Sequence, residues 1–148
     1  MSRPEPRWLG RLAIDEAHFR QVREHGGAHG VRDENALESA LARPQQRRHY
    51  AGGASLSELA AGYAFGLVRE HPYVDGNKRT ALVVMVAFLE RNGIELTATN
   101  AEALSTMLAL ATRELMEDEL AVWIEAHSRP SFLEEGQAAV RRRLHDGG

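Results

Sequence analysis

The sequence lacks cysteine altogether, which excludes disulfides and thiolate metal sites in this chain. Such an absence fits a reducing compartment, so we expect a cytoplasmic protein. No apolar run approaches the roughly 20 residues that span a bilayer. The N-terminal residues also lack the apolar segment of a secretory signal peptide, and we therefore expect no membrane partner.

A strong excess of either charge is also missing. Lys and Arg number 18 and Asp and Glu 21, for a net charge of −3 at pH 7. Because general nucleic-acid binders usually carry a strongly basic surface, we expect no direct nucleic-acid contact. The 43% hydrophobic and 26% charged residues are an ordinary globular balance. Frequent Glu, Ala, Leu and Arg, with few β-branched runs, favour helices.

Capping residues divide the chain into helices. Helix starts are predicted at Asp15, Asp33, Ser55, about Ala101 and Asp118. The stretch from Trp8 to Ile14 is predicted as an extended lead-in. Pro44 should end the second helix and leave Gln45 to Gly53 irregular. Ser55-Leu-Ser-Glu58 has the pattern of a capping box, and Ile94 to Thr97 is expected to be extended.

One predicted helix should form the centre of the molecule. Ala81 to Leu89 has no polar residue, and a helix that is apolar all round belongs inside a bundle. Gly93 follows it as a C′ residue with positive φ. We therefore predict a compact all-α bundle, with one domain over residues 1–128 and an extra helix or tail over 129–148.

The loop before this helix ends in an anion-binding pattern. If the helix starts near Asn77, its free N–H groups and positive dipole end face the loop at Gly76. The Asn77 side-chain amide is expected to donate to an anion, and Lys78 and Arg79 add two cations. Basic residues at a helix start oppose the dipole at about 0.3–1 kcal/mol each, and a bound anion would offset that cost.

Two further side chains on the loop suit phosphoryl transfer. The imidazole of His71 can accept a proton from a hydroxyl. Asp75 offers a hard oxygen ligand for Mg²⁺, which one or two carboxylates and substrate phosphates commonly hold. The spacing is not that of a P-loop. The alternative is structural: a loop-filling His71, a capping Asp75 and a solvated first turn.

The motif His71-Pro-Tyr-Val-Asp-Gly-Asn-Lys-Arg-Thr-Ala81 resembles the active-site motif of the Fic/Doc superfamily, and most closely its death-on-curing (Doc) toxins. Residues 25–33, 37–44, 59–66 and 91–93 are also similar to Doc-type sequences. The resemblance covers about residues 12 to 127. It implies the all-α Fic fold and ATP-dependent transfer to a protein hydroxyl.

The resemblance also implies roles for the loop residues. By position, His71 would be the catalytic base and Asp75 the Mg²⁺ ligand. The nucleotide's phosphates would be held by Gly76, Asn77, Lys78 and Arg79. The adenylylating Fic pattern has Gly in place of Lys78 and a second Arg in place of Leu82. Both departures are similar to Doc-type members, which pass on the γ-phosphate of ATP, so we expect a kinase.

The biological role implied is that of a toxin in a type II toxin–antitoxin module. Its expected target is a Ser or Thr hydroxyl of a translation elongation factor, whose phosphorylation would arrest translation. Its expected partner is a small antitoxin with a disordered tail that folds on binding. The alternatives are protein adenylylation, a metal-independent ribonuclease using His71, and an inactive binding module.

The segment Gly26 to Asp33 corresponds to the flap beside the active site in Fic folds. Gly30, Arg32 and Asp33 are candidates to contact the target chain, with a plain interhelix loop as the equal alternative. Most other histidines, His18 among them, are expected at the surface, and Tyr73 is expected to anchor the loop. In the tail, Ser131 to Gly136 matches an inhibitory Fic motif through Glu135, which we attribute to chance.

Overall fold

The computed structural model describes residues 5–50 and 52–131. Its helices are α1 (Arg11–His25), α2 (Glu34–Tyr50), α3 (Leu56–Glu70), α4 (Asn77–Arg91), α5 (Asn100–Ala111) and α6 (Glu117–Ala126). Two short antiparallel strands, β1 (Ile94–Leu96) and β2 (Ser128–Pro130), pair with each other. The all-α prediction is confirmed. Among the described helices, none has both the length and the apolar character that a membrane crossing requires.

Helix α4 occupies the centre of the bundle, as its apolar run predicts. Its residues from Thr80 to Leu89 are all buried or half-buried. Helix α3 packs beside it and is buried along most of its length. At the end of α4, Gly93 has φ 79°, in agreement with its predicted role. The burial of Asn77, Thr80 and Ala81 also places the N-terminal end of α4 against the core.

Helix α1 begins earlier than predicted, at Arg11, with Gly10 as its N-cap. The extended lead-in to Ile14 and the capping role of Asp15 are both wrong. Ile14 is fully buried, and its N–H donates to the Gly10 carbonyl at 3.2 Å. Asp15 lies one turn inside the helix, where Arg11 Nε reaches its carboxylate at 2.8 Å. Burial of Ile14 and this i,i+4 ion pair favour the additional turn.

Helix α2 continues through Pro44 to Tyr50, so the predicted end at Pro44 and the irregular start of 45–53 are wrong. Pro44 is buried, because the last turns of α2 pack against neighbouring helices. Arg47 reaches Glu58 on α3 at 2.8 Å and Asp118 on α6 at 3.1 Å. These tertiary contacts outweigh the helix-breaking tendency of proline.

The predicted caps are confirmed at two helix starts. Asp33 Oδ1 accepts from Ala36 N at 3.0 Å, and Ser55 and Glu58 form the reciprocal capping box. Helix α5 starts within one residue of the predicted Ala101, and an unpredicted capping box forms there between Thr99 and Glu102. Asp118 does not cap α6, since that helix starts at Glu117.

The two strands form a ribbon at the C-terminal end of α4. Ile94 pairs with Pro130 and Leu96 with Ser128, and Ser131 N–H donates to the Gly93 carbonyl at 3.0 Å. The predicted extended segment after α4 is therefore confirmed, while its partner strand was not predicted. Strand β2 crosses the predicted boundary at residue 128. The division at that point remains a prediction, and residues 132–148 lie outside the described residues.

Candidate active site

The N-terminus of α4 lacks a side-chain cap. Its N-cap is Gly76, with φ 78° and ψ 16°, and no side chain accepts a hydrogen bond there. A side chain at Gly76 would be strained by this φ and would also place its Cβ 3.3 Å from Val22 Cγ2. The first helical N–H groups are therefore available to an anion, at the positive end of the helix dipole.

Lys78 and Arg79 lie in the first turn of α4 and are both exposed. Over residues 5–50 and 52–131, neither side chain forms an ion pair or a hydrogen bond. The α4 dipole also disfavours cations at this position. Two exposed cations beside uncapped amides make a site that is electrostatically suited to phosphate.

Asn77 is bound into the loop. It is buried, and its Oδ1 accepts from Tyr73 N at 3.0 Å while its Nδ2 donates to Tyr73 O at 2.9 Å. Both polar atoms of the amide thus close the loop onto the helix start. These two hydrogen bonds position Asn77 in the loop, while the expected donation of its side-chain amide to an anion stays a prediction.

His71 ends α3 in a left-handed conformation, with φ 50° and ψ 54°. Such a backbone is unusual for a residue other than glycine, and strain of this kind clusters at functional sites. The Arg32 guanidinium stabilises it, since Nε donates to the His71 carbonyl at 2.7 Å and Nη2 to the Glu70 carbonyl at 2.9 Å. The His71 residue is itself exposed, so solvent and a substrate can reach it.

The flap, residues 26–33, lies directly against the loop. Val31 and Tyr73 form an antiparallel bridge, and Val74 N–H donates to the Gly30 carbonyl at 3.0 Å. Arg32 and Asp33 both donate their backbone N–H to the Pro72 carbonyl. The flap is therefore beside the site, as the sequence predicts.

The flap residues that are candidates to contact the target chain have structural partners. Arg32 binds the end of α3, and Asp33 caps α2. Gly30 has φ 117° and contributes its carbonyl to the loop. Of the two alternatives left open by the sequence, these contacts favour an architectural role for all three residues.

Asp75 connects the flap to the start of α4. Its residue is exposed, and its Oδ2 accepts from the Ala28 N–H of the flap at 2.7 Å. The described residues contain no cluster of three or more metal-binding side chains. One accessible carboxylate near uncapped amides and two cations fits Mg²⁺ bound together with nucleotide phosphates, because that ion commonly needs few protein ligands.

His18 lies at the candidate site although the sequence did not predict it there. The prediction of a surface position is wrong for it, because it is 4% exposed. Its Nε2 lies 2.8 Å from the Asp75 carbonyl, and its ring stacks on Tyr73 with 3.7 Å between centroids. Burial lowers the pKa of His18, which favours the neutral ring with Nε2 as donor. The available signal was the spacing of Ile14, His18 and Val22 on one face of α1.

Tyr73 is buried and anchors the loop, as predicted. Its hydroxyl donates to Asp15 Oδ1 on α1 at 2.7 Å. Burial, and then this hydrogen bond, raise the pKa of Tyr73, so the hydroxyl stays protonated.

A separate groove of about 740 Å³ lies at the opposite end of α3, beside Ser57 and Glu125, and none of the predicted site residues lines it.

Comparison with known proteins decides the family. The family model described as Fic/DOC matches residues 8–89, more than half of the chain and the whole loop. The chain belongs to the Fic/DOC family. The resemblance identified from the sequence is thereby confirmed, and the uncapped α4 terminus is part of the Fic/DOC segment.

Two curated relatives of this Fic/DOC chain are Doc proteins. The "Protein kinase doc" of Escherichia phage P1 is 36% identical over 78 residues, which cover 53% of this chain and 62% of that protein. The "Toxin Doc" of Mycolicibacterium smegmatis (strain ATCC 700084 / mc(2)155) is 42% identical over 74 residues, covering 49% of this chain and 57% of that protein. The chain thus spans about three-fifths of the length of each.

Proposed function

We propose that this chain is the toxin of a toxin–antitoxin module and transfers the γ-phosphate of Mg·ATP to a Ser or Thr hydroxyl of a cytoplasmic protein. The observation that carries the proposal is the uncapped N-terminus of α4, where Lys78 and Arg79 are exposed and unpaired within the described residues. The names of the two Doc relatives support the class of activity.

The binding roles follow from charge and position. The α4 amides, Lys78 and Arg79 hold the phosphates, since positioning and charge neutralisation supply most of the catalysis in phosphoryl transfer. Asp75 holds Mg²⁺ through a carboxylate oxygen. When bound, Mg²⁺ neutralises charge on the phosphate oxygens. Asn77, Tyr73 and the flap keep the loop in the conformation that places these groups together.

His71 is the general base in the proposed transfer. Its imidazole accepts the proton of the attacking hydroxyl as that oxygen forms its bond to the γ-phosphorus. The bond from the γ-phosphorus to the bridging oxygen breaks, and ADP leaves. The imidazolium then returns its proton to solvent. General-base catalysis of this kind contributes about 10²–10⁴ in rate.

Phosphate transfer is favoured over AMP transfer by two residues. Lys78 occupies space that a glycine would leave open beside the phosphates. Leu82 stands where the adenylylating Fic pattern has a second Arg. It is half-buried and packs against the hydrophobic core, so it cannot hold the γ-phosphate as that Arg would. In keeping with the Doc resemblance, we propose a translation elongation factor as substrate and a small antitoxin with a disordered tail as partner.

The test uses the whole chain with a cell lysate and ATP labelled on either the α- or the γ-phosphate. We expect label on a protein only from the γ-phosphate, with a phosphate mass on a Ser or Thr in mass spectrometry. His71→Ala should abolish labelling, whereas His49→Ala, which changes an exposed histidine on α2, should not. Label from the α-phosphate, with an AMP mass, would replace the kinase by an adenylyltransferase.

A further inference from the structure

His18 contacts both halves of the active-site loop from helix α1. Its ring stacks nearly parallel on Tyr73, with 7° between planes, and its Nε2 donates to the Asp75 carbonyl. The Tyr73 end of the loop is also fixed by Asn77, through the two hydrogen bonds to its backbone. For the Asp75 carbonyl, His18 supplies the buried side-chain donor.

The Asp75 carbonyl lies where the loop turns into α4. A Cβ built on Gly76 would be 3.7 Å from His18 Cδ2, so the imidazole forms the wall behind this turn. Because the hydrogen bond holds the Asp75 carbonyl, it also fixes the orientation of the Asp75 backbone. The direction of the Asp75 side chain is set by that backbone. The Asp75 carboxylate lies against Ala28 of the flap.

We propose that His18 is a positioning residue, which holds the Asp75–Gly76 turn in the geometry that binds the metal and the phosphates. The role acts through Asp75 and the α4 amides, and His18 itself need not touch a ligand. The consequence of this role for catalysis rests on the proposed function, whereas the effect of His18 on the loop can be measured in the free protein.

The chain provides a matched control in His127. Its ring stacks on Trp123 with 4.5 Å between centroids, and its Nδ1 lies 2.7 Å from the Trp123 carbonyl. It is therefore also a stacked histidine hydrogen-bonded to a backbone carbonyl, but it lies beyond α6, outside the loop. His18→Phe and His127→Phe each keep an aromatic ring and remove the donor.

The experiment measures backbone hydrogen exchange in the nucleotide-free protein at the amides of Tyr73, Val74 and Thr80, which are hydrogen-bonded in and beside the turn. We expect His18→Phe to speed exchange about 3- to 10-fold there, as loss of one hydrogen bond to a buried group implies. His127→Phe should leave these residues unchanged, and His18→Gln, which keeps a donor, should restore part of the protection. Affinity for Mg²⁺ with the β,γ-imido analogue of ATP should fall by a similar factor in His18→Phe.

The proposal is overturned if the amides of Tyr73, Val74 and Thr80 exchange equally fast in wild type and His18→Phe. It is also overturned if core amides of α4, such as Val84 and Phe88, accelerate as much as the loop, since that pattern indicates general destabilisation. Failure of the wild type to bind the analogue would contradict the proposed function alone, because exchange in the free protein still decides the role of His18.

Discussion

Side chains around the loop divide into those that build it and those that face outward. Asn77, Tyr73 and His18 are buried and bind one another or the loop backbone. The sequence motif identifies the loop and its polar side chains. It does not show which of those side chains form hydrogen bonds within the protein. The partner of Asn77 depends on where the helix starts, and the contacts of His18 depend on packing of α1 against the loop.

Lys78 should have opposite effects on folding and on binding. Lys78→Gln removes a cation from the positive end of α4, so we expect about 0.3–1 kcal/mol of added stability in urea unfolding. The same change should weaken nucleotide binding, measured by calorimetry, because a phosphate contact is lost.

Arg91 provides the control for Lys78 on the same helix. It lies in the last turn of α4, where a cation is favourable, so Arg91→Gln should lower stability and leave nucleotide affinity unchanged. A Lys78→Gln variant that is less stable than wild type would contradict the inference that Lys78 lowers folding stability while it favours anion binding.

Thr80 offers a second test at the residue scale. Among the described residues, its Oγ1 is the buried side-chain polar atom without a hydrogen-bond partner. Thr80→Val keeps the shape and removes the unsatisfied hydroxyl, so we expect a gain of about 1 kcal/mol in unfolding free energy. Thr80→Ser keeps the hydroxyl and loses a methyl group, and it should be destabilising. A destabilised Thr80→Val would reveal a polar partner for the hydroxyl.

Helices show which parts of the fold local sequence can predict. Caps set by neighbouring residues, such as those at Asp33 and Ser55, were predictable because both partners lie within one turn. The continuation of α2 past Pro44 was not, since it depends on Arg47 reaching α3 and α6. The three residues of β2 carry too little pattern to be recognised without their partner strand.

The interface between α2 and α3 depends on two glycines that differ in available space. A Cβ at Gly66 would lie 3.0 Å from Ala40 Cα, whereas one at Gly62 would lie 3.5 Å from Pro44 Cα, an ordinary contact. Gly66→Ala should therefore cost about 1–3 kcal/mol through overpacking against backbone.

Gly62→Ala is the matched change and should be neutral or stabilising by up to about 1 kcal/mol, because alanine favours the helix. Both variants are compared by chemical denaturation. Equal effects of the two substitutions would show that close approach of Ala40 to α3 does not limit this interface.

At the scale of the whole molecule, one charged cluster connects three helices. Arg47 on α2 pairs with Glu58 on α3 and with Glu117 and Asp118 on α6. The Ser55 backbone N–H, and then Arg47, hold the pKa of Glu58 below its ordinary value of 4.5. A carboxylate whose folded pKa is lowered adds stability above its unfolded pKa and loses it as pH falls through the folded pKa.

Glu58→Gln tests this contribution. Glutamine can keep the capping box but not the charge, so the variant should be less stable than wild type at pH 7, by less than about 1 kcal/mol given its partial exposure. The difference should shrink as pH falls below 4.5. Glu114→Gln, at an exposed carboxylate without an ion pair in the described residues, should show no such trend in urea unfolding across pH.

The tail motif around Glu135 lies outside the described residues, but its attachment point is known. Ser131 binds Gly93 at the C-terminal end of α4, whereas Arg79 lies in the first turn, about 20 Å away along the helix axis. The attribution of this motif to chance therefore stays a prediction.

The ribbon of β1 and β2 has a practical consequence for handling the protein. Ser131 lies beside Gly93, at the opposite end of the central helix from His71 and Asp75. A biotin tag or bead linkage at Ser131 would therefore attach the protein at the end of α4 away from the Asp75–Gly76 turn. Immobilised protein of this kind is suited to capturing nucleotide analogues and large protein partners without steric interference from the support.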